Sequence, residues 1–319
     1  ANALFNCFSS IILCVSRLNA DASHLCVLFL LNLELDVPGT LSALVNYENK
    51  YPYLKNDKGQ WVSRDDVWYK GVVTATGSRW LGVSSGRIGP ELGFGRMVGN
   101  HHEDSVLILK TSQGNRSLGW DFLPPGSEQY EYDGKIYAGY KQSPESWGKG
   151  TEPKPINWYA GKQYDDCFGT AHEVLNNFDE QFPQWKGRGY EIVGFAWWQG
   201  DKDRYNAGHA SRYEKNLVHL IKTLRKEFKA PKAKFVVATL GQTVKDSAEE
   251  NEKLILDAQL AVAGTAGKYP EFKGNVATVY THPLSQGGAS NSHYDGNAQT
   301  YMDIGLAMGE SMVKLLEGK

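Results

Sequence analysis

The sequence has little cysteine and no motif built from it. Among its 319 residues there are four cysteines: Cys7, Cys14 and Cys26 lie near the start, and Cys167 lies alone. No CxxC pair and no Cys/His set with zinc-ligand spacing occurs. The common zinc motifs are therefore excluded, and the pattern assigns neither disulfide pairs nor a redox compartment.

Long apolar runs are also missing. The longest, residues 25–31, is far shorter than the ~20 residues that a membrane-spanning helix needs. Residues 4–15 have the length of a signal-peptide core but no basic start before them, which disfavours a signal peptide. No membrane partner is expected.

The sequence lacks a strong charge of either sign. Lys and Arg number 34 and Asp and Glu 36, giving a net charge of −2 with no long basic run, which disfavours nucleic acid as a partner. The run HHED at 101–104 is a weak metal motif, because adjacent side chains do not easily converge on one ion. Neither a metal nor a cofactor is expected. Tyrosine and tryptophan are plentiful, and exposed rings of both types stack on sugars.

Strands alternate with helices through most of the sequence. Apolar runs at 105–109, 191–197, 234–240 and 275–280 predict buried strands, and amphipathic stretches at 168–185, 209–228, 246–263 and 295–316 predict helices. Asp295 is the expected N-cap of the last helix. This alternation predicts an α/β fold, a three-layer α/β/α sandwich with a parallel sheet.

Two segments depart from this pattern. Residues 1–33 hold most of the cysteines and few charges, so they are predicted to be an atypical N-terminal segment before one domain at 34–319. Within them, 25–31 is the expected first strand. Residues 121–156 are rich in Pro, Gly, Tyr and Ser and predict a long surface insertion. Its aromatic residues, Tyr130, Tyr132 and Trp147, with Trp120 just before it, are predicted to border a sugar pocket.

Four predicted strands end in polar clusters, at 111–117, 198–203, 241–243 and 282–293. Ends of parallel strands share one edge of a sheet, where ligands bind, so these clusters are expected to converge. His293 precedes a helix and is the candidate base. Gln199 can donate to an oxyanion, and Asp203 or Asp201 can orient the histidine. The oxyanion and substrate side is predicted to include Gly89, Gly114, Asn115, Gly200, Trp198 and Trp120.

Four blocks resemble the carbohydrate esterases of the SGNH hydrolase superfamily, in the sialate O-acetylesterase-like group. They are IGPELGFG at 88–95, LILKTSQGNRSLGWDFLPP at 107–125, GFAWWQGDKD at 194–203 and HYDGNAQTYMDIGLAMGESM at 293–312. The resemblance implies a flavodoxin-like fold and a serine acetylesterase. It also implies that His293 is the catalytic histidine, that Gln199 and Gly200 lie beside the oxyanion, that Asp203 ends their block and that Gly89 belongs to the GP block.

The resemblance has two gaps. The family places its nucleophile in a Gly-Gln-Ser-Asn motif after the first strand, and this sequence has none. Gly241-Gln242-Thr243 and Ser290-Asn291 match that motif only in part. The superfamily also often has Asp three residues before the histidine, where this chain has Ser290. Another carboxylate, such as Asp203, must then serve the histidine, or it acts without one.

Three explanations of the missing serine stay open: residues 1–33 are not the family's own N-terminus, as after a frameshift; the serine is lost; or Ser9 or Ser10 replaces it. The expected function is hydrolysis of acetyl esters on sugars such as sialate or xylan, with acetylated carbohydrate as the partner. The alternative is an inactive carbohydrate-binding protein of the same fold. A glycosidase using Asp201 or Asp203 is a third possibility and needs a second carboxylate. The resemblance favours a secreted or periplasmic location.

Overall fold

The structure, a computed structural model, describes residues 9–16 (main chain only), 37–83 and 88–319. Its strands are β1 Ser9–Ser16, β2 Ser63–Val73, β3 Ser78–Gly82, β4 Val106–Gln113, β5 Tyr130–Tyr132, β6 Lys135–Tyr137, β7 Ser146–Gly148, β8 Glu191–Trp198, β9 Lys234–Ala238 and β10 Val276–Val279. Its α-helices are α1 Leu41–Asn46, α2 Glu91–His101, α3 Lys162–Asn176, α4 Phe178–Gln181, α5 Ala207–Glu227, α6 Glu250–Ala261 and α7 Ala298–Leu316. The fold is mixed α/β.

The main sheet was predicted to be parallel, but it is mixed. Its order is β10-β9-β8-β1-β4-β2-β3. Strands β10, β9, β8, β4 and β2 run in one direction, whereas β1 is antiparallel to both β4 and β8, and β3 is antiparallel to β2. β3 returns through a short hairpin, which reverses it. The direction of β1 has no signature in its sequence, because side chains alternate in the same way in either direction. The predicted first strand, 25–31, lies outside the described residues.

Helices pack on both faces of this sheet. Along β4 the side chains alternate between two cores: Leu107 and Leu109 join one, Val106 and Ile108 the other. Helices α3, α5 and α6 supply the first core, and α2 and α7 supply the second. A strand covered on both faces reads as a continuous apolar run, which is why β4, β8 and β9 were predictable from sequence.

Several predicted helix boundaries are wrong. The helix predicted at 168–185 begins earlier, at Lys162, and stops at Asn176, where α4 follows after one residue. Its N-cap is Gly161, in a left-handed conformation with no capping side chain, so no sequence signal marks the start. The last helix is capped by Asn297, which accepts from the Thr300 amide, and not by Asp295.

The insertion at 121–156 contains local structure. β5, β6 and β7 form a small antiparallel sheet of their own. Each strand is three residues long, too short to show a period in the sequence. In the described part of the chain, no helix has the length and apolar character needed to cross a bilayer.

Helices α2 and α7 approach closely through glycine. A Cβ at Gly305 of α7 would lie 2.2 Å from the Pro90 carbonyl oxygen, and one at Gly93 of α2 would lie 2.5 Å from the Met302 carbonyl oxygen. Backbone therefore contacts backbone, and neither position has room for a side chain. This contact fixes Pro90, at the start of α2, against the helix that follows His293.

We expect Gly305→Ala to lower the free energy of unfolding by about 2 kcal/mol, because the added methyl group forces the two helices apart. The matched control is Gly169→Ala in α3, where a Cβ would meet no atom within 4 Å. That change should raise stability by roughly 0.5–1 kcal/mol, through helix propensity alone. Urea denaturation measures both, and equal effects would contradict close packing at Gly305.

Candidate active site

A cleft of about 550 Å³, including its open mouth, lies at the edge of the sheet where the parallel strands end. The loops after β4, β8, β9 and β10 all contribute to it, together with the start of α2 and one residue of α7. The lining residues are Pro90, Asn115, Arg116, Trp198, Gln199, Gly200, Asp201, Lys202, Leu240, Ser290, His293, Tyr294 and Tyr301. The structure thus brings together six of the predicted residues, namely Asn115, Trp198, Gln199, Gly200, Asp201 and His293.

His293 lies in a strained segment. Within the 3-10 turns of Ser290–Gly296, called here the histidine segment, His293, Tyr294 and Asp295 have φ of 59°, 52° and 52°. Three consecutive left-handed residues other than glycine cost about 1–2 kcal/mol each, so the surrounding structure must hold them. Such strain is concentrated at functional sites, and here it turns the half-buried His293 towards the cleft.

Tyr294 anchors that segment. Its ring stacks on Trp198, with centroids 5.7 Å apart and planes 14° apart, and its hydroxyl accepts from the Gly241 amide at 3.1 Å. Trp198 is fixed in turn, because its indole N–H donates to the Thr239 carbonyl at 3.0 Å. The end of β8 and the loop after β9 therefore both hold the histidine segment in place.

Asp201 connects the β8–α5 loop (199–206) to the histidine segment. The Ser290 hydroxyl donates to Asp201 Oδ1 at 2.6 Å, and Arg204 Nε donates to the same oxygen at 2.8 Å. Arg204 Nη1 also donates to Glu252 at 2.6 Å. These bonds fix the carboxylate of Asp201 at the point where the two segments meet.

Asp203 lies elsewhere, fully buried beneath the cleft. Its carboxylate accepts from the amides of Leu118 at 2.9 Å and Gly119 at 2.8 Å, and from Gln199 Nε2 at 2.6 Å. Burial raises its pKa to about 7, while these donors act to lower it. These bonds join the β4–β5 loop (114–129) to the β8–α5 loop, and Asp203 does not line the cleft.

Both amide hydrogens of Gln199 are used within the protein. Nε2 donates to the Arg116 carbonyl at 2.9 Å as well as to Asp203, and Oε1 accepts from the Tyr213 hydroxyl at 3.1 Å. The Gln199 carbonyl accepts from Gln259 Nε2 at 2.7 Å. In this arrangement the side chain holds two loops together, and donation to an oxyanion would require one of its bonds to break.

The predicted glycines have different environments. Gly200 lines the cleft with φ of 147°, which only glycine adopts readily. A Cβ at Gly89 would lie 2.3 Å from Glu91 Oε2 and 2.7 Å from Lys110 Nζ, a buried ion pair with an N–O distance of 2.7 Å. Gly114 directly follows β4, one residue before Asn115, and does not itself line the cleft.

The structure does not bring Trp120 to the cleft. It lies in a small third core with Leu123, Ala138 and Ala160, against which Trp147 and Trp158 pack. This core supports the insertion on the main domain, so these tryptophans have a packing role here. Ser9 and Ser10, in contrast, lie at the same edge of the sheet as the cleft. Because β1 is antiparallel, its first residues pair with Gln113 and Ser112 of β4, and Ser10 also pairs with Trp198 of β8.

His209, at the start of α5, is a buried histidine that the sequence did not single out. It is 2% exposed, and Nε2 lies 3.3 Å from Glu145 Oε1 of the insertion. Burial, together with a smaller effect of the Lys202 charge, lowers the pKa of His209 to about 4. Burial also raises the pKa of Glu145. Among the described residues, no three His, Cys, Asp or Glu side chains group as metal ligands.

Comparison with known proteins identifies the family. Residues 54–314 match the model of the SASA family, described as carbohydrate esterase, sialic acid-specific acetylesterase. This match covers most of the chain, so the chain belongs to that family, and membership implies a function like that of a carbohydrate acetylesterase.

Comparison with curated proteins and with solved structures does not add to this identification of the family. No curated protein matches the chain. A solved structure of a protein from Arabidopsis thaliana is similar, with a TM-score of 0.45 and 14% identity over 80% of this chain and 87% of that one.

Several cleft residues were missed by the sequence prediction. Tyr294, Tyr301 and Leu240 are apolar or aromatic residues that pattern assigns to a core. Asp201 was predicted as an orienting residue and Ser290 lies in a predicted polar cluster, but their contact was not predicted, because they are 89 positions apart and no local spacing shows that they meet. Arg116 and Lys202 lie within predicted polar clusters, which was the one available signal for them.

Asp203→Asn should lower the free energy of unfolding by about 2 kcal/mol, because the amide nitrogen then faces an N–H donor in a buried site. Asp203→Ala should lower it further, by roughly 3 kcal/mol or more. As a control, Asp257→Asn removes an exposed pair with Lys253 and should change stability by less than about 0.5 kcal/mol. If Asp203→Asn kept wild-type stability and lost only turnover, the carboxylate would instead have a role in the reaction.

Stability should fall in acid through His209. Its pKa is about 4 in the folded protein and about 6.5 in the unfolded chain, so the unfolded state binds the proton first as the pH falls below 6.5. Between pH 7.5 and 5 this removes about 2 kcal/mol. Asp203 acts in the opposite direction, since its raised pKa favours the folded state in acid.

The His209 effect is therefore measured as a difference between wild type and His209→Gln, by urea denaturation at both pH values. The variant should lose less stability on acidification. Equal losses in the two proteins would contradict a buried, neutral His209.

Proposed function

We propose that this protein hydrolyses acetyl esters on carbohydrates with His293 as the base. The observation that carries the proposal is the cleft itself, which His293 and Asp201 both line from two different loops at the carboxyl edge of the sheet, in a chain of a carbohydrate esterase family. The helices on both faces of the sheet support a three-layer, flavodoxin-like sandwich, with 34–319 as one domain and the insertion as part of it.

Asp201 is the better candidate than Asp203 for the carboxylate that supports His293. Among the described residues that line the cleft, Asp201 is the only acidic one. It is hydrogen bonded to Ser290, three residues before the histidine. Asp203, in contrast, is enclosed by three N–H donors beneath the cleft. A single cleft carboxylate also disfavours a glycosidase, which uses two.

Oxyanion stabilisation is assigned to groups other than the Gln199 side chain. Gly200 and Asn115 line the cleft from neighbouring loops, and Asn115 is an exposed residue in a left-handed conformation, with a φ of 54°. Their N–H groups are the proposed donors to the developing negative charge. Gln199 contributes by fixing the loop that carries Gly200.

The proposed reaction proceeds in two steps. A serine Oγ attacks the acetyl carbonyl carbon while His293 takes the hydroxyl proton, and the tetrahedral intermediate expels the sugar oxygen, which receives that proton. Water then attacks the acetyl-enzyme in the same way and releases acetate. Ser9 and Ser10 stand at the correct edge by strand register, and Ser290 lines the cleft beside Asp201.

Turnover of p-nitrophenyl acetate and of acetylated sugars tests the proposal. His293→Ala should lower kcat/KM by roughly 1,000-fold or more, because the serine then has no base. His101→Ala, on α2 and outside the cleft, is the matched control and should retain turnover. Wild-type protein that binds the sugars without hydrolysing them would instead be the inactive carbohydrate-binding protein.

The nucleophile can be identified independently. A fluorophosphonate should label one serine of the wild-type protein, and peptide mass mapping should place the label on Ser9, Ser10 or Ser290. The corresponding alanine variant should lose both label and turnover, while the other two keep them. Turnover without any labelled serine would contradict the acyl-enzyme route and indicate direct attack by water.

A further inference from the structure

We infer that Tyr205 is a stacking platform for the neutral sugar ring next to the acetylated one. The inference rests on the proposed carbohydrate esterase function and extends it from the acetyl group to the neighbouring part of the glycan. Tyr205 ends the 3-10 turn Asp203–Tyr205 and is 58% exposed, whereas most tyrosines of this chain are largely covered. A large exposed ring at the rim of a cleft is an anchor for a ligand that extends out of it.

The ring is held in place before any ligand binds. The Tyr205 hydroxyl accepts from Arg204 Nη2 at 2.6 Å and from Asn291 Nδ2 at 3.3 Å. The Arg204 guanidinium carbon lies 4.4 Å from the ring centroid, so it covers part of the ring. A ring fixed in this way loses little conformational freedom when a sugar packs against its exposed part.

The same contacts connect the ring to the cleft. Arg204 donates to Asp201, which lines the cleft, and Asn291 lies between Ser290 and His293 in the chain. Tyr205 is therefore joined to both loops that form the candidate active site. The proposal places the next sugar of a substrate whose acetyl group lies at His293 against this ring.

The local charge favours a neutral ring. Arg204 is paired with Asp201 and with Glu252, the latter at 2.6 Å, so its positive charge is balanced. Asn291 can hydrogen bond a sugar hydroxyl without a charge of its own. The C–H face of a pyranose is apolar and matches an aromatic surface, while a carboxylate or phosphate would find no net positive charge there.

The test compares each acetylated trisaccharide with its monosaccharide: O-acetylated sialyllactose with O-acetylated sialic acid, and acetylated xylotriose with acetylated xylose. For whichever pair the wild-type protein hydrolyses, Tyr205→Ala should raise the ratio of trisaccharide KM to monosaccharide KM about tenfold. Tyr205→Phe keeps the ring and should stay within about threefold of wild type. Tyr190→Ala is the matched control: Tyr190 is an exposed tyrosine directly before β8, at the opposite end of that strand from the cleft, and its loss should leave the ratio unchanged.

Failure of this inference is distinguishable from failure of the proposed function. Hydrolysis with the same KM ratio in wild type and Tyr205→Ala would overturn the platform and leave the esterase function standing. If the protein hydrolyses none of these esters, titration calorimetry with unacetylated sialyllactose and xylotriose decides. Binding that Tyr205→Ala weakens about tenfold supports the platform without catalysis, and absent or unchanged binding overturns it.

Discussion

The buried carboxylate of Asp203 is the contact on which the site depends. Three N–H donors from two loops meet on its two oxygens, so the loop after β4 and the loop after β8 are fixed to each other below the cleft. A carboxylate removed from water is stable only with such donors. Gln199 extends the arrangement through its carbonyl group to Tyr213 and Gln259. The cleft residues therefore lie above a layer of buried polar groups that hydrogen bonds hold in place.

A second constraint acts from the opposite side of the cleft. The left-handed turn at His293 is unfavourable by itself and is held by the stack of Tyr294 on Trp198 and by the hydrogen bond of the Tyr294 hydroxyl. Aromatic stacking and one hydrogen bond hold the turn, whereas Asp203 is held by hydrogen bonds alone. Asp201 and Ser290 connect the two systems across the cleft.

Much of the fold could be predicted because buried strands and amphipathic helices have their own periods, as in β4, β8 and α5. Polar residues after strands also predicted His293 and the 198–203 cluster as parts of one edge. Two things were beyond the sequence. Side-chain alternation is the same for either strand direction, so the antiparallel direction of β1 could not be predicted. The role of a buried polar residue depends on partners that are distant in the sequence. Asp203 and Gln199 are of residue types that are often catalytic, and only their contacts in the structure show that they hold loops together. Trp120 likewise packs in a core.

The reversed direction of β1 has a consequence for the electrostatics of catalysis. In a parallel sheet, the residue that leaves a strand at the carboxyl edge usually enters a helix, whose first N–H groups and positive end stabilise a nearby negative charge. Ser9 and Ser10 arrive at that edge at the beginning of a strand, so the described chain that follows them runs into the sheet and not into a helix. A nucleophile in this position draws its stabilisation from other segments, namely the neighbouring loops and the start of α2 at Pro90, which makes the rigidity of those segments part of the chemistry.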